Sequence, residues 1–179
     1  AQDKISEAAL MLNGIIETFP QDIEPVSGLA VLLDRQGNHE KCEEIIKEAL
    51  SRIERPAAQR ELTLILAQFY ARWNQEDKSY PLLKELMQKL PNDIPIKRRL
   101  LQCEQVLKDS EQGQKLVDDI KSLEGEDGWQ WRYEQAKVWF TTEGFKERYP
   151  QIVSLLQKNL LLNPNDQTSR MLLARSYER

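Results

Sequence analysis

The chain is 179 residues long, 40% hydrophobic and 30% charged, with a formal net charge of -4 and a sequence pI near 5.3. This balance supports a folded core with a wet exterior and excludes the basic footprint of a general nucleic-acid binder, so no nucleic-acid partner is expected. No apolar stretch approaches the roughly 20 residues that cross a bilayer, and the chain is rich in Leu, Glu, Lys, Gln and Ala, so helices are expected throughout with no membrane insertion.

The first predicted helix covers residues 3–19 and stops at Pro20-Gln21-Asp22. Proline cannot continue a helix and aspartate caps the next one, so the triplet reads as stop, turn, start. It recurs as Pro91-Asn92-Asp93 and Pro164-Asn165-Asp166. Ten residues beyond each proline stand Ala30, Leu101 and Ala174, preceded by Leu29, Leu100 and Leu173, which marks an internal repeat. Apolar residues at steps of three and four predict helix pairs over 23–35 with 39–53 and over 57–73 with 77–90. Gly37 falls where a left-handed helix cap is expected. Further pairs are predicted over 94–108 with 111–124 and over 129–142 with 147–162, and a last helix starts near 167.

These residues resemble the tetratricopeptide repeat, a helix-turn-helix unit of about 34 residues with small and large apolar positions in fixed order. Residues 60–91 fit best, through Leu66-Ala67, Tyr70 and the closing Pro91. Residues 23–50 fit through Leu29-Ala30, Leu33, Gly37-Asn38, Cys42, Ile46 and Ala49-Leu50. The stretch 94–126 lacks the tyrosine and the closing proline, and about four extra residues are expected around Thr141 to Arg148, with Trp139 where the tyrosine would stand. The resemblance implies an all-α fold, a right-handed superhelical array of antiparallel helix pairs, with Ala30, Ala67, Ala136 and Ala174 allowing close helix approach while Tyr70 and Trp139 fill the gaps. The chain opens on what resembles a second helix and closes on what resembles a first. It therefore reads as one repeat domain over 1–179, a segment of a longer array.

Chemistry-bearing groups are sparse. His39 is the only histidine, which removes most nucleophile-histidine schemes and most zinc sites, and it starts a predicted helix, where a solvated structural role is expected. Cys42 and Cys103 have neither metal-ligand nor disulfide-scaffold spacing, so each is expected to be a small buried hydrophobe in a reducing, cytoplasmic setting. Glu124-Gly125-Glu126-Asp127-Gly128 lacks the alternating ligands of a calcium loop and reads as a solvated turn. Nothing in the sequence calls for a catalytic residue, a metal or a cofactor.

What remains is a binding surface. The family's first helices line its inner surface, and on that projection Gln68, Arg72, Arg98, Arg99, Gln102, Tyr133 and Lys137 are the expected partner contacts. Lys97-Arg98-Arg99 is the one concentrated basic run, suited to an acidic peptide or a carboxylate terminus, or else a solvated helix face. The clamp that some family members close on acidic tails is not reproduced, since Ser27, Val31, Leu64 and Gln68 hold the aligned positions. Trp129, Trp131, Trp139 and Phe140 cluster and are expected to pack across a junction, with anchoring of a partner as the other use. The expected function is a non-enzymatic scaffold that binds a protein or extended peptide on its concave face. The alternatives are an RNA-binding helical repeat, whose recurring polar pair is absent, and an accessory interaction domain of a larger enzyme.

Overall fold

The structure is a computed structural model that describes residues 2–142 and 144–179, with side chains from residue 6 onward. Among the described residues there are eleven helices and no strand. They fall into two compact units, Ala1–Gln88 and Lys89–Arg179.

The N-terminal unit holds α1 (Gln2–Thr18), α2 (Glu24–Arg35), α3 (His39–Arg52), α4 (Pro56–Arg72) and α5 (Glu76–Lys89). Its core joins Ile16 of α1, Leu29 and Ala30 of α2, Cys42, Ile46 and Ala49 of α3, and Leu62, Leu66, Phe69 and Tyr70 of α4. Two helix ends are closed by the same device. After α2, the Gly37 and Asn38 amides donate to the carbonyls of Asp34 and Leu33, both at 2.9 Å, with Gly37 at φ +73°. After α4, Asn74 and Gln75 donate to Ala71 and Tyr70 at 3.2 and 2.8 Å, with Asn74 at φ +58°. Both are Schellman caps, and asparagine is the residue besides glycine that tolerates this left-handed position. The expected cap at Gly37 is present, and the turn 73–75 contains its counterpart.

Side chains then tie helix to helix. Glu43 of α3 accepts from Lys47 at 2.6 Å and from Lys78 of α5 at 3.0 Å. The Lys47 hydrogen bond leads the influences that hold its carboxyl down at about 2, against the upward push of burial. Burial first, and the bond to Glu43 second, push the Tyr70 phenol up to about 12. Ala67 is 2% exposed and its carbonyl accepts the Ser79 hydroxyl of α5 at 2.9 Å. A larger side chain at so buried a position has to displace its neighbours. Ala67→Leu is expected to lower the unfolding free energy by about 1 to 3 kcal/mol through overpacking, measured by urea denaturation, whereas Val31→Leu, at a position 38% exposed, should leave it unchanged.

The C-terminal unit holds α6 (Ile94–Leu100), α7 (Glu104–Lys108), α8 (Ser110–Glu124), α9 (Trp129–Thr141), α10 (Phe145–Leu162) and α11 (Gln167–Glu178). The Asp93 and Asp166 carboxylates accept backbone amides of Ile96 and of Thr168 and Ser169, each at 3.1 Å, so these two triplets cap the helices that follow. In the N-terminal unit Asp22 accepts the Glu24 amide at 3.1 Å, one residue earlier than a strict cap, and Ile23 holds the cap position. All three triplets therefore stop one helix and start the next.

Three expectations are corrected. The single helix over 94–108 is two short helices. The amides of Gln102 and Cys103 donate to Arg99 and Leu100 at 3.0 Å, a three-residue spacing that tightens the end of α6, and Cys103 then turns extended at ψ 138°. Across the break Leu101, Cys103 and Val106 all reach the core, at 1%, 5% and 2% exposed.

Second, the turn 142–144 carries no insertion, for it is as long as the turn 73–75 between α4 and α5. Ala67, Tyr70 and Tyr80-Pro81 recur as Ala136, Trp139 and Tyr149-Pro150 at one constant interval of 69 residues. Both prolines are the sixth residue of their helix, and the added length lies at the far end of α10, which has 18 residues against 14 in α5. Third, Ala174 is exposed, because α11 turns Ser169, Leu172, Leu173 and Ser176 inward instead. Tyr177 is 56% exposed.

Cys42 and Cys103 are both free and buried, and burial pushes the Cys42 thiol up to about 12, which leaves it an inert hydrophobe. Among the described residues no helix is long and apolar enough to cross a membrane.

Candidate partner-binding site

Two of the expected contact residues, Gln68 and Arg72, lie one turn apart on α4. Gln68 is exposed. Arg72 is half-exposed but its charge is already used: Nη1 donates to Asp34 Oδ2 of α2 at 2.5 Å, and the guanidinium lies 5.3 Å from the centre of the Phe69 ring. Asp34 also accepts the Trp73 indole N–H at 2.6 Å, with His39 Nε2 at 3.8 Å. Burial pushes the Asp34 carboxyl upward, yet the bonds from Trp73 and Arg72 outweigh it and hold the group below the ordinary carboxylate value. His39 is half-exposed and stacks on Trp73 with ring centres 4.5 Å apart, which gives the single histidine a structural place at the start of α3.

The basic run of α6 is neither a solvated face nor an open anion receptor. Lys97 is 4% exposed and its Nζ meets Asp119 Oδ2 of α8 at 2.8 Å. Arg98 reaches across to α9, where Nε donates to Glu134 Oε1 at 2.7 Å and Nη1 to Gln130 Oε1 at 3.1 Å. Its guanidinium lies 5.3 Å from the Trp129 ring and 5.9 Å from the Tyr133 ring. Arg99 is half-buried and bonded within the fold. The reason is position: α8 and α9 present carboxylates to the short α6, and the cations close on them before any ligand arrives.

Of the remaining expected contacts, Gln102 is exposed in the break after α6, while Tyr133 and Lys137 are half-buried one turn apart on α9. Burial first, and then the neighbouring Glu134 charge, push the Tyr133 phenol upward against the pull of Arg98. The structure thus brings Arg98, Trp129 and Tyr133 together, with Trp129 44% exposed beside them.

The sequence expectations leave out three further polar groups. Glu134, Arg132 and Asn159 are buried at 1%, 5% and 1% exposed. Arg132 Nε donates to Asn159 Oδ1 at 2.9 Å, and Asn159 Nδ2 donates to the Trp129 carbonyl at 2.8 Å. The acidic turn is structural: the Glu124 carboxylate accepts the Gln130 and Trp131 amides at 3.3 and 2.8 Å and so caps α9. Gly128 permits this, because a Cβ there would lie 2.4 Å from Cβ of Glu124.

The aromatic cluster divides. Phe140 joins the core and packs edge-on against Phe145, while Trp131 and Trp139 line a groove of about 530 Å³ between α8 and α10.

No family model matches the chain, and no curated protein matches it. Solved structures do. A tetratricopeptide protein of Thermus thermophilus matches with a TM-score of 0.70 at 16% identity, covering 100% of this chain and 93% of that one. The fold is of the tetratricopeptide type. The tetratricopeptide-like repeats of a putative kinesin light chain from Podospora anserina match at a TM-score of 0.61 and 15% identity, covering 89% and 87% of the two chains. YrrB, a tetratricopeptide protein described as having an unusual peptide-binding site, matches at 0.56 and 13% identity, covering 99% and 85%.

Proposed function

We propose that this chain is a non-enzymatic interaction scaffold that holds a protein or an extended peptide on the face of its first helices. Gln68 and Arg72 would make contact in the N-terminal unit, and Arg98, Arg99, Gln102, Tyr133 and Lys137 in the C-terminal unit. The observation that carries the reading is the arrangement at Arg98: a guanidinium fixed by Glu134 and Gln130 between Trp129 and Tyr133, with the Trp129 ring left open to solvent. Arginine, tryptophan and tyrosine dominate binding hot spots, and a side chain already held in place loses little entropy when a partner arrives.

The pairing with Glu134 bears on the choice of ligand and of test. Arg98 is neutralised, so this point selects a flat or apolar group that stacks on Trp129 and Tyr133 rather than a bare carboxylate. Reversing the Arg98 charge would set two carboxylates together and unfold the site, so Trp129 and Lys137 are the reporters. Peptides selected on the immobilised protein from a random library are expected to lose at least tenfold in affinity with Trp129→Ala, by fluorescence anisotropy, at unchanged helicity. Selected ligands that bind Trp129→Ala and Lys137→Ala as tightly as the original would overturn the proposal.

A further inference from the structure

We propose that α11 of one copy of this chain docks on α1 of another, completing between two molecules a helix pair that neither holds alone. The basis is the stripe through which paired helices meet. Second helices bury three residues spaced four and three apart against their first helices: Cys42, Ile46 and Ala49 in α3, and Ile152, Leu156 and Asn159 in α10, each 0 or 1% exposed. The same stripe starts at Ser79 in α5 and at Gly113 in α8. It faces the preceding helix, since Ser79 bonds the Ala67 carbonyl of α4 and a Cβ on Gly113 would meet Val106 of α7 at 3.7 Å.

In α1 this stripe falls on Ala8, Leu12 and Ile15, and it is open. Ala8 and Leu12 are half-buried and Ile15 is 39% exposed. First helices use an alanine-centred stripe of the same spacing, Val26, Ala30 and Leu33 in α2 and Thr63, Ala67 and Tyr70 in α4, where the alanines are 0% and 2% exposed. Its counterpart in α11 is Arg170, Ala174 and Tyr177, all exposed. Among the described residues, α1 is thus a second helix without a first, and α11 a first helix without a second. Joining them sets the small Ala174 opposite the small Ala8, as Ala67 stands opposite Ser79. Met11 and Met171, 65% and 66% exposed, flank the two stripes and are covered with them.

Charge makes a second copy the occupant. The stretch 167–179 carries Arg170, Arg175 and Arg179 against Glu178, whereas α1 carries Asp3, Glu7 and Glu17 against Lys4. Asp166, at the start of α11, is spent as its cap, and Arg55 and Asp22 beside the far end of α1 offset each other. Arg170 and Arg179 donate to the backbone carbonyls of Pro164 and Phe140, which leaves their charges to be met from outside. An antiparallel pairing brings the Arg170 end of α11 to the Glu17 end of α1, and the Arg179 end to the exposed Glu7. Pairing α1 with α1, or α11 with α11, would set like charges together. The contact is therefore heterologous, and each bound copy still offers one free face to the next.

Sedimentation equilibrium of this chain from micromolar to millimolar concentration is expected to show mass growing reversibly from the monomer upward, with the affinity falling at least tenfold in molar salt. Two variants then assign the faces. Ile15→Arg closes α1 and Ala174→Arg closes α11, both at exposed positions. Each alone is expected to stay monomeric at native helicity. Their equimolar mixture should form a dimer and nothing larger, because the first variant keeps its α11 face and the second its α1 face. Met11→Lys and Tyr177→Lys, at sites more than half exposed, repeat the test should either arginine perturb the fold. Self-association of Ala174→Arg alone would place α1 against α1, and that of Ile15→Arg alone would place α11 against α11, and either result overturns the proposal. So does growth that neither substitution stops, or a chain that remains monomeric at millimolar concentration, the outcome if helices other than these two cover the open faces.

Discussion

Replacing Arg98 with alanine is expected to destabilise the C-terminal unit by about 3 to 5 kcal/mol, the usual consequence of removing one member of a buried ion pair. Glu134 is 1% exposed, and one of its oxygens has no partner among the described residues, so the guanidinium is what makes its charge tolerable there. In Arg98→Ala the carboxylate must stay charged without a counterion, take up a proton or pull α9 toward water. Each route weakens the packing of α6 on α9. Thermal unfolding followed by circular dichroism should show the midpoint falling by more than about 10 °C. The double variant Arg98→Met with Glu134→Met removes both charges and should recover most of the loss, because apolar groups of similar volume often replace a buried pair at little cost. A loss below about 1 kcal/mol for Arg98→Ala would show that the pair is solvated and carries no such weight.

Asn159→Leu is the second large effect, and it runs against hydrophobic intuition. Leucine matches the neighbouring sequence Leu160-Leu161-Leu162 and adds apolar surface at a site 1% exposed. Yet Asn159 joins three elements at once: it accepts from Arg132 Nε of α9, donates to the Trp129 carbonyl at the start of α9, and lies 3.3 Å from the Ser169 hydroxyl of α11. Leucine would leave a buried guanidinium N–H and a carbonyl unmet, at about 1 to 3 kcal/mol for each neutral group and more for the charged one. A total of about 3 kcal/mol is expected in urea denaturation. Asn159→Asp, which keeps the acceptor for Arg132, should cost less. If leucine proves neutral, Arg132 has found its carbonyls at Glu126 and Asp127 sufficient.

The parts of this fold that were legible in the sequence are those where a residue type has few alternative uses. The proline-aspartate triplets, Gly37 and the alanines at 30, 67 and 136 are required by turns and by close helix approach, so they mark their elements wherever they occur. The break after α6 left no such mark, since Leu101, Gln102 and Cys103 are ordinary helix residues and tertiary burial overrides their local preference. The candidate site was legible only as residue types. Arg98 and Tyr133 do stand together, but the sequence shows a cation without its counterion, and the partner that neutralises it lies 36 positions away on another helix. Lys97 failed the solvated reading for the same reason. Glu134 was not legible because a polar residue counts as surface until three dimensions bring its partners to it, whereas Asn159 continues the buried stripe of Ile152 and Leu156 and carried a signal in its spacing.

The unequal lengths of α5 and α10 bear on folding as well as on form. Pairs α4–α5 and α9–α10 keep the same phase through Ala67 and Ala136 and through the Tyr-Pro steps, so each second helix carries enough of the other's pattern to compete for the wrong first helix while the chain is collapsing. Four further residues make α10 about 6 Å longer, just over one turn, and that turn carries Asn159 to its place beneath Trp129. In the mistaken pairing, α5 would end short of that position and the buried Arg132 would find no amide. Helix length here distinguishes one repeat from its twin and favours correct assembly over a swapped one.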